Sequence, residues 1–188
     1  SNSNDVLAYI IYKYESGFWT PIDTVYSSTY FENSNSTASD VAEQYRVAAL
    51  DSCGNTSPLS NAIETINVTG NLSICDNIFY LSWNHPAGVL YFDNYRILLS
   101  KNSNPFVQLD ITTKDTFNLY LDENQGNWCI VIQSITDDGI TQSSNLLCFN
   151  FQKPSLPDYV KLRKVDFINN HIEITWKAPS HALSLIHI

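Results

Sequence analysis

Cys53, Cys75, Cys129 and Cys148 are the residues of this 188-residue chain whose chemistry is easiest to name. Thiols form disulfides, ligate metals or stay free, and four of them allow three pairings between which sequence alone cannot choose. Structural zinc sites draw thiolates from paired C-x-x-C knuckles, and the chain has none. Disulfides are therefore the favoured reading over free thiols or a metal, and persistent disulfides place a protein outside the cytosol.

The other side chains with chemical potential are scattered. His85, His171, His181 and His187 are too few and too far apart for a metal trio or a catalytic pair, and His85, just before Pro86, reads as a solvated turn residue. Neither a G-x-S-x-G elbow nor H-E-x-x-H nor a phosphate-cradling glycine loop occurs. Asp122-Glu123-Asn124 and Asp137-Asp138-Gly139 have the carboxylates that calcium wants, yet turn chemistry explains them as well and is favoured. Asn35, Asn55, Asn67 and Asn71 head glycosylation-type triplets, a cheap match in an Asn- and Ser-rich chain. Phe18 and Trp19 could form an exposed aromatic patch, but packing at a hairpin beside Pro21 is favoured. The chain is read as non-enzymatic, with no cofactor.

Composition narrows the partners. Ten lysines and arginines against 19 acidic residues give a net charge of −9, and the cations form no stripe that could neutralise phosphates, so nucleic acid is a poor partner. Hydrophobic residues at 44% suffice for a core. No run of 18 apolar residues spans a bilayer. The absence of methionine suggests a piece of a longer reading frame.

The elements that must hold these residues are strands. Aromatic and β-branched residues fall in runs of four to eight, broken by Asn, Ser, Asp, Gly and Pro. Alternation in Phe79-Tyr80-Leu81-Ser82-Trp83, Tyr95-Arg96-Ile97-Leu98-Leu99 and Ile172-Glu173-Ile174-Thr175-Trp176 turns Leu81, Trp83, Ile97, Ile174 and Trp176 toward a core. The stretch from Ser36 to Tyr45 is too polar for a packed helix.

These strands also repeat. Tyr9-Ile10-Ile11-Tyr12 is echoed by Tyr95-Arg96-Ile97-Leu98, and Tyr45-Arg46-Val47-Ala48-Ala49 with Ser60-Asn61 by Trp128-Cys129-Ile130-Val131-Ile132 with Ser144-Asn145, at an offset of about 85. Leu81-Ser82-Trp83 is echoed by Ile174-Thr175-Trp176, 93 residues on. A unit of this size, with Trp on the second strand, Tyr on the third and a Y-x-V-x-A strand before a Gly turn, resembles the fibronectin type III domain.

That resemblance implies an all-β chain of tandem seven-stranded, immunoglobulin-like sandwiches. Residues 66–153 would be a complete module, 1–65 the C-terminal strands of a partial one, and 154–182 the opening strands of a third, with Pro154, Pro157 and Pro179 at linker and strand ends. Leu183-Ser184-Leu185-Ile186-His187-Ile188 is what a sequencing-library transposon end encodes in frame, and 183–188 are set aside as an artefact. Within the family, the segment Leu50–Asn61, its distance to Cys75, and Cys129 and Cys148 near the sixth and seventh strands are similar to tandem modules of gliding-motility-associated surface proteins of Bacteroidota.

The sandwich register in turn implies the pairings Cys53 with Cys75 and Cys129 with Cys148, and matches the family's corner tyrosine to Tyr45 in the first copy and Trp128 in the second. Trp83, Tyr95, Ile97, Ile130 and Ile132 would share the middle core. The function implied is a secreted or cell-surface spacer and adhesive scaffold on a bacterial envelope, contacting protein or glycan at the cell surface. The alternative is the accessory repeat region of a secreted polysaccharide-degrading enzyme.

Overall fold

The short apolar runs become fourteen antiparallel strands in a computed structural model that describes residues 6–88, 92–121, 125–136, 141–153 and 160–177. The opening calcium candidates, 122–124 and 137–139, lie outside the described residues, as do Pro154, Pro157, Pro179, His181 and the 183–188 tail. The chain divides into two compact units, Ser1–Gln152 and Lys153–Ile188.

In the first unit, β1 (Val6–Glu15), β2 (Phe18–Tyr26), β3 (Gln44–Asp51) and β4 (Ile63–Glu64) make one sheet in the order β2-β1-β3-β4. There follow β5 (Val68–Ser73), β6 (Ile78–Trp83), β7 (Phe92–Lys101), β8 (Val107–Thr112), β9 (Thr116–Tyr120), β10 (Gly126–Thr136), β11 (Thr141–Ser143) and β12 (Leu147–Phe151). Strands β5-β6-β9 form one sheet and β11-β10-β7-β8 another, with β12 pairing the other end of β10. This is a fibronectin type III-like sandwich, and residues 6–64 repeat the arrangement of its second sheet.

The middle module is closed because both sheets alternate. In β6, Phe79, Leu81 and Trp83 point inward; in β10, Trp128, Ile130, Ile132 and Ser134 do. The apolar ones among them meet Tyr95 and Ile97 from β7 and Phe151 from β12 in one buried cluster that holds all five residues expected there. Tyr95 packs edge-on against Trp83 at 5.4 Å, and Phe79 stacks on Phe149 at 3.8 Å. Glycine stands at position 70 of β5 because a Cβ there would run into the Phe79 ring.

The pairings correct one element of the sequence alignment. Val47 lies opposite Ile11 and Ile132 opposite Ile97. Each accepts the same support: Val47 N–H donates to Ser60 Oγ at 3.0 Å, and Ile132 N–H to Ser144 Oγ at 2.9 Å. Tyr45 is therefore the counterpart of Ile130, and Trp128 that of Glu43. The expected match of Tyr45 to Trp128 is two residues out, a shift that keeps every side chain on its face and so leaves the apolar pattern unchanged.

The second unit is a hairpin, β13 (Lys161–Ile168) and β14 (His171–Lys177). Ile174 and Trp176, expected in a core, are 51% and 59% exposed. Alternation sets their direction, but only a second layer can cover them.

Candidate interaction site

Among the described residues of the first unit, no second sheet lies over one face of the first module's sheet. Tyr9 and Ile11 from β1, Val25 from β2, and Tyr45 and Val47 from β3 floor a groove of about 600 Å³, edged by Tyr30 and Phe31 from the connection after β2. In the middle module the corresponding floor lies under β5 and β6.

At one end of this face sits a buried carboxylate. Glu43 is 4% exposed; its Oε1 meets Lys13 Nζ at 2.7 Å and its Oε2 accepts from Tyr45 Oη at 2.5 Å and Ser36 Oγ at 2.7 Å. Thr37 adds its backbone N–H and hydroxyl to Oε1 at 2.8 and 2.9 Å, and Asn33 Nδ2 donates to Tyr45 Oη at 2.9 Å. Burial opposes ionisation of Glu43, yet the hydrogen bonds from Lys13, Tyr45 and Ser36 outweigh it and hold the carboxyl well below the usual range. The hydrogen bond to Glu43 raises Lys13 in turn. The network fastens the 33–43 connection to the sheet and uses every group it contains, which is a structural arrangement rather than a reactive one.

A second polar cluster joins the first module to the middle one. Glu64 N–H donates to Ala87 O at 3.1 Å, and Ala87 N–H returns a bond to Glu64 Oε2 at 3.1 Å. Asn84 Nδ2 bridges Glu64 Oε2 and Thr65 O, while its Oδ1 accepts from Asn67 N–H at 2.7 Å. Asn145 Nδ2 reaches Ser39 O at 3.2 Å and Val68 O at 3.1 Å, and its Oδ1 takes Val68 N–H at 2.6 Å. Asn67 Nδ2 donates to Ala38 O at 3.0 Å, and Gln142 Nε2 to Glu64 O. Gly88, at φ +80°, approaches Ala62 so closely that a Cβ would collide with its carbonyl.

Of the expected cysteine pairs, the structure forms one. Cys129 and Cys148 face each other across β10 and β12 with Cα atoms 4.1 Å apart and are bonded. Cys53 and Cys75 are free and exposed, which departs from the expected bridge. The reason is strand direction. β3 starts beside the junction, where Gln44 pairs with Glu64, and carries Cys53 past its far end into the first module. β5 also starts at the junction and carries Cys75 to its far turn in the middle module.

His85 is more than a solvated turn residue: its Nδ1 lies 2.8 Å from Tyr95 Oη, the polar end of a buried ring. Burial, with the charge of Asp115, pushes the Tyr95 phenol up to about 12. Trp19 packs rather than forming a free patch, 5.2 Å from Tyr14 and beneath the Arg46 guanidinium at 4.5 Å, while Phe18 is 73% exposed. Among the described residues, no three His, Cys, Asp or Glu side chains gather as a metal site, and no helix is long and apolar enough to cross a membrane.

Sequence reasoning missed Glu43, Glu64 and Asn84. A lysine at position 13, directly after the uncharged run 6–12 of its strand, was the available signal for Glu43. Asn145 was visible in the repeated Ser-Asn pair, but not its role in fastening two modules.

No protein-family model and no curated protein matches the chain. Among solved structures it is similar to the crystal structure of chicken CNTN1 FN1-FN3 domains, at 17% identity and a TM-score of 0.40, over 78% of this chain and 56% of that one. The chain thus spans little more than half the length of that structure.

Proposed function

We propose that this chain is a non-enzymatic stretch of a secreted or cell-surface tandem-repeat protein, acting as a spacer that presents sheet faces and end loops to protein or glycan partners. The observation that carries the reading is the junction: reciprocal bonds between Glu64 and Ala87, together with those of Asn84 and Asn145, hold two modules in register as a rod requires. Interfaces between domains of one chain move by default unless something fastens them. The Cys129–Cys148 bond favours an oxidising compartment. The polar groups that could have served chemistry, such as Glu43 and His85, are engaged in holding loops and rings in place.

The similarity of Leu50–Asn61 and of the cysteine positions to gliding-motility-associated modules of Bacteroidota makes adhesion or gliding on a bacterial surface the specific role we assign. Recovery of the flanking coding sequence tests it. Further repeats ending in a sorting domain support the assignment, whereas an adjoining catalytic domain would make this region an accessory of an enzyme and overturn it.

A further inference from the structure

The middle module has a sheet face that its own core does not use. Both of its sheets are described, and on β5, β6 and β9 the positions that alternate with the buried Phe79, Leu81, Trp83 and Leu119 turn to the outer side. Two cross-strand rows run over that side, Thr69-Ser82-Thr116 and Asn71-Tyr80-Asn118. Together they line a shallow groove of about 380 Å³.

The groups in this groove are amides, hydroxyls and a phenol. The Thr69 and Ser82 hydroxyls lie 3.2 Å apart. Among the described residues, nothing in the chain hydrogen-bonds the Asn71 and Asn118 amides or the Tyr80 hydroxyl. Each of those amides offers two donors and a carbonyl acceptor to whatever lies in the groove. Tyr80 is 42% exposed, and Tyr120, 71% exposed, stands on the diagonal from it, about 7 to 8 Å away by strand geometry. The outer face of an antiparallel sheet needs polar residues to meet water, but it does not need exposed rings.

Charge, by its absence from these strands, selects the occupant. None of β5, β6 and β9 contains Lys, Arg, Asp or Glu, whereas β7 of the other sheet has Asp93, Arg96 and Lys101. Asp76 and Asp115 stand outside the strands, and Asp76 accepts a hydrogen bond from Ser73 Oγ at 2.6 Å. A polyanion finds no cation here and is repelled by a chain of net charge −9. A protein partner would want an apolar centre, and Ile78 is the one aliphatic side chain on the outer positions, at the margin of the groove. A neutral sugar matches both halves of the surface: its C–H face lies on a tyrosine ring and its hydroxyls pair with amides.

We propose that the outer face of the β5-β6-β9 sheet binds a neutral polysaccharide. One sugar ring lies against Tyr80 with its hydroxyls paired to Asn71 and Asn118, and an adjoining ring reaches Tyr120. This rests on the reading of the chain as a spacer that presents sheet faces to surface partners, and it names the partner of one face.

Calorimetric titration of the full chain with cellohexaose, xylohexaose, mannohexaose and chitohexaose, and with oligogalacturonate as the anionic counterpart, tests this. At least one neutral hexasaccharide should bind with a Kd below about 1 mM, and added salt should leave that affinity unchanged because no ion pair forms. Tyr80→Ala and Asn118→Ala, both at exposed positions, should each weaken binding at least about tenfold while circular dichroism and the denaturant transition of the middle module stay as in the wild type. Tyr26→Ala, at a 61% exposed ring of the first module, should leave the affinity as it was. Absence of binding to every neutral hexasaccharide would overturn the proposal. So would binding that survives both Tyr80→Ala and Asn118→Ala, or salt-sensitive binding of oligogalacturonate in place of the neutral sugars. Those results would leave the spacer reading standing, whereas an adjoining catalytic domain in the coding sequence would overturn that reading and leave the sugar site in place.

Discussion

Tyr95, Ile130 and Ile132 in the middle module and Tyr9, Tyr45 and Val47 in the first occupy equivalent strand positions, yet the first trio is sealed and the second lines a groove. The strands that carry them pair alike and even share the Ser60 and Ser144 bonds. What differs is the second sheet, supplied by β5, β6 and β9 in one case and, among the described residues of the first unit, by no strand in the other. Pairing is a property of a strand and its neighbours; burial belongs to the layer opposite. The two modules also stabilise themselves differently. The middle one relies on an apolar cluster and a disulfide, whereas the first fastens the 33–43 connection to its sheet through the ionised Glu43.

The largest expected effect removes the middle module's advantage. Trp83→Ala deletes the indole that Tyr95 packs against and should cost about 3 to 5 kcal/mol, read as an early denaturant transition of the middle module. Loss of cooperative unfolding in the first module alone would contradict the comparison. Replacing Cys129 and Cys148 by serine comes next. They close a loop with a sequence separation of 19, worth about 3 kcal/mol in the chain-entropy picture, and reduction of the wild type should shift the same transition.

The two modules should also fail at opposite ends of the pH scale. The folded state keeps Tyr95 protonated up to about 12, whereas an unfolded tyrosine ionises near 10. That stability is complete below pH 10 and is lost as pH rises through 12, by about 3 kcal/mol at most. Glu43 has the reverse sign. Its folded carboxyl lies well below the usual range, so its stabilisation is present above the unfolded value of about 4.5 and declines as pH falls through it. Tryptophan fluorescence during acid titration should report Trp19 of the first module before Trp83 of the middle one, and Glu43→Gln should remove much of that acid sensitivity. Asn145→Ala should have the smallest effect, about 1 kcal/mol. It leaves Val68 N–H without its side-chain acceptor and should broaden the distribution of inter-module angles seen by small-angle scattering, with little change in either melting transition.

Much of this was legible in the chain. Alternation at Leu81, Trp83 and Ile97 gave the strands and their inward faces, since period-two burial needs no long-range information; the sandwich itself came from the resemblance to fibronectin type III domains. The Ile11 and Ile97 echo gave the repeat. The fibronectin type III resemblance implied Cys129 and Cys148 on adjacent strands, and the structure bonds them. The Cys53–Cys75 pairing went wrong because adjacency in sequence, 22 residues across a module boundary, carries no information about the direction in which β3 and β5 leave that boundary. The Tyr45 and Trp128 match failed for a related reason: a two-residue slip preserves side-chain facing, and only long-range contacts, the pairings of Val47 with Ile11 and of Ile132 with Ile97 and the Ser60 and Ser144 bonds, distinguish the two registers. The junction escaped because an asparagine that bridges modules has the same local sequence as one that ends a turn.

Native-state hydrogen exchange on the full chain tests the central contrast most directly, because it reads both modules in one sample. Amides of Ile97, Ile130 and Ile132 should exchange only through global opening of the middle module, while those of Ile11 and Val47 should exchange at least about tenfold faster through a separate, lower-energy opening. Equal protection across the two sets, with a shared dependence on denaturant, would contradict the account: it would mean that the groove is already covered in the single chain, or that the modules unfold as one.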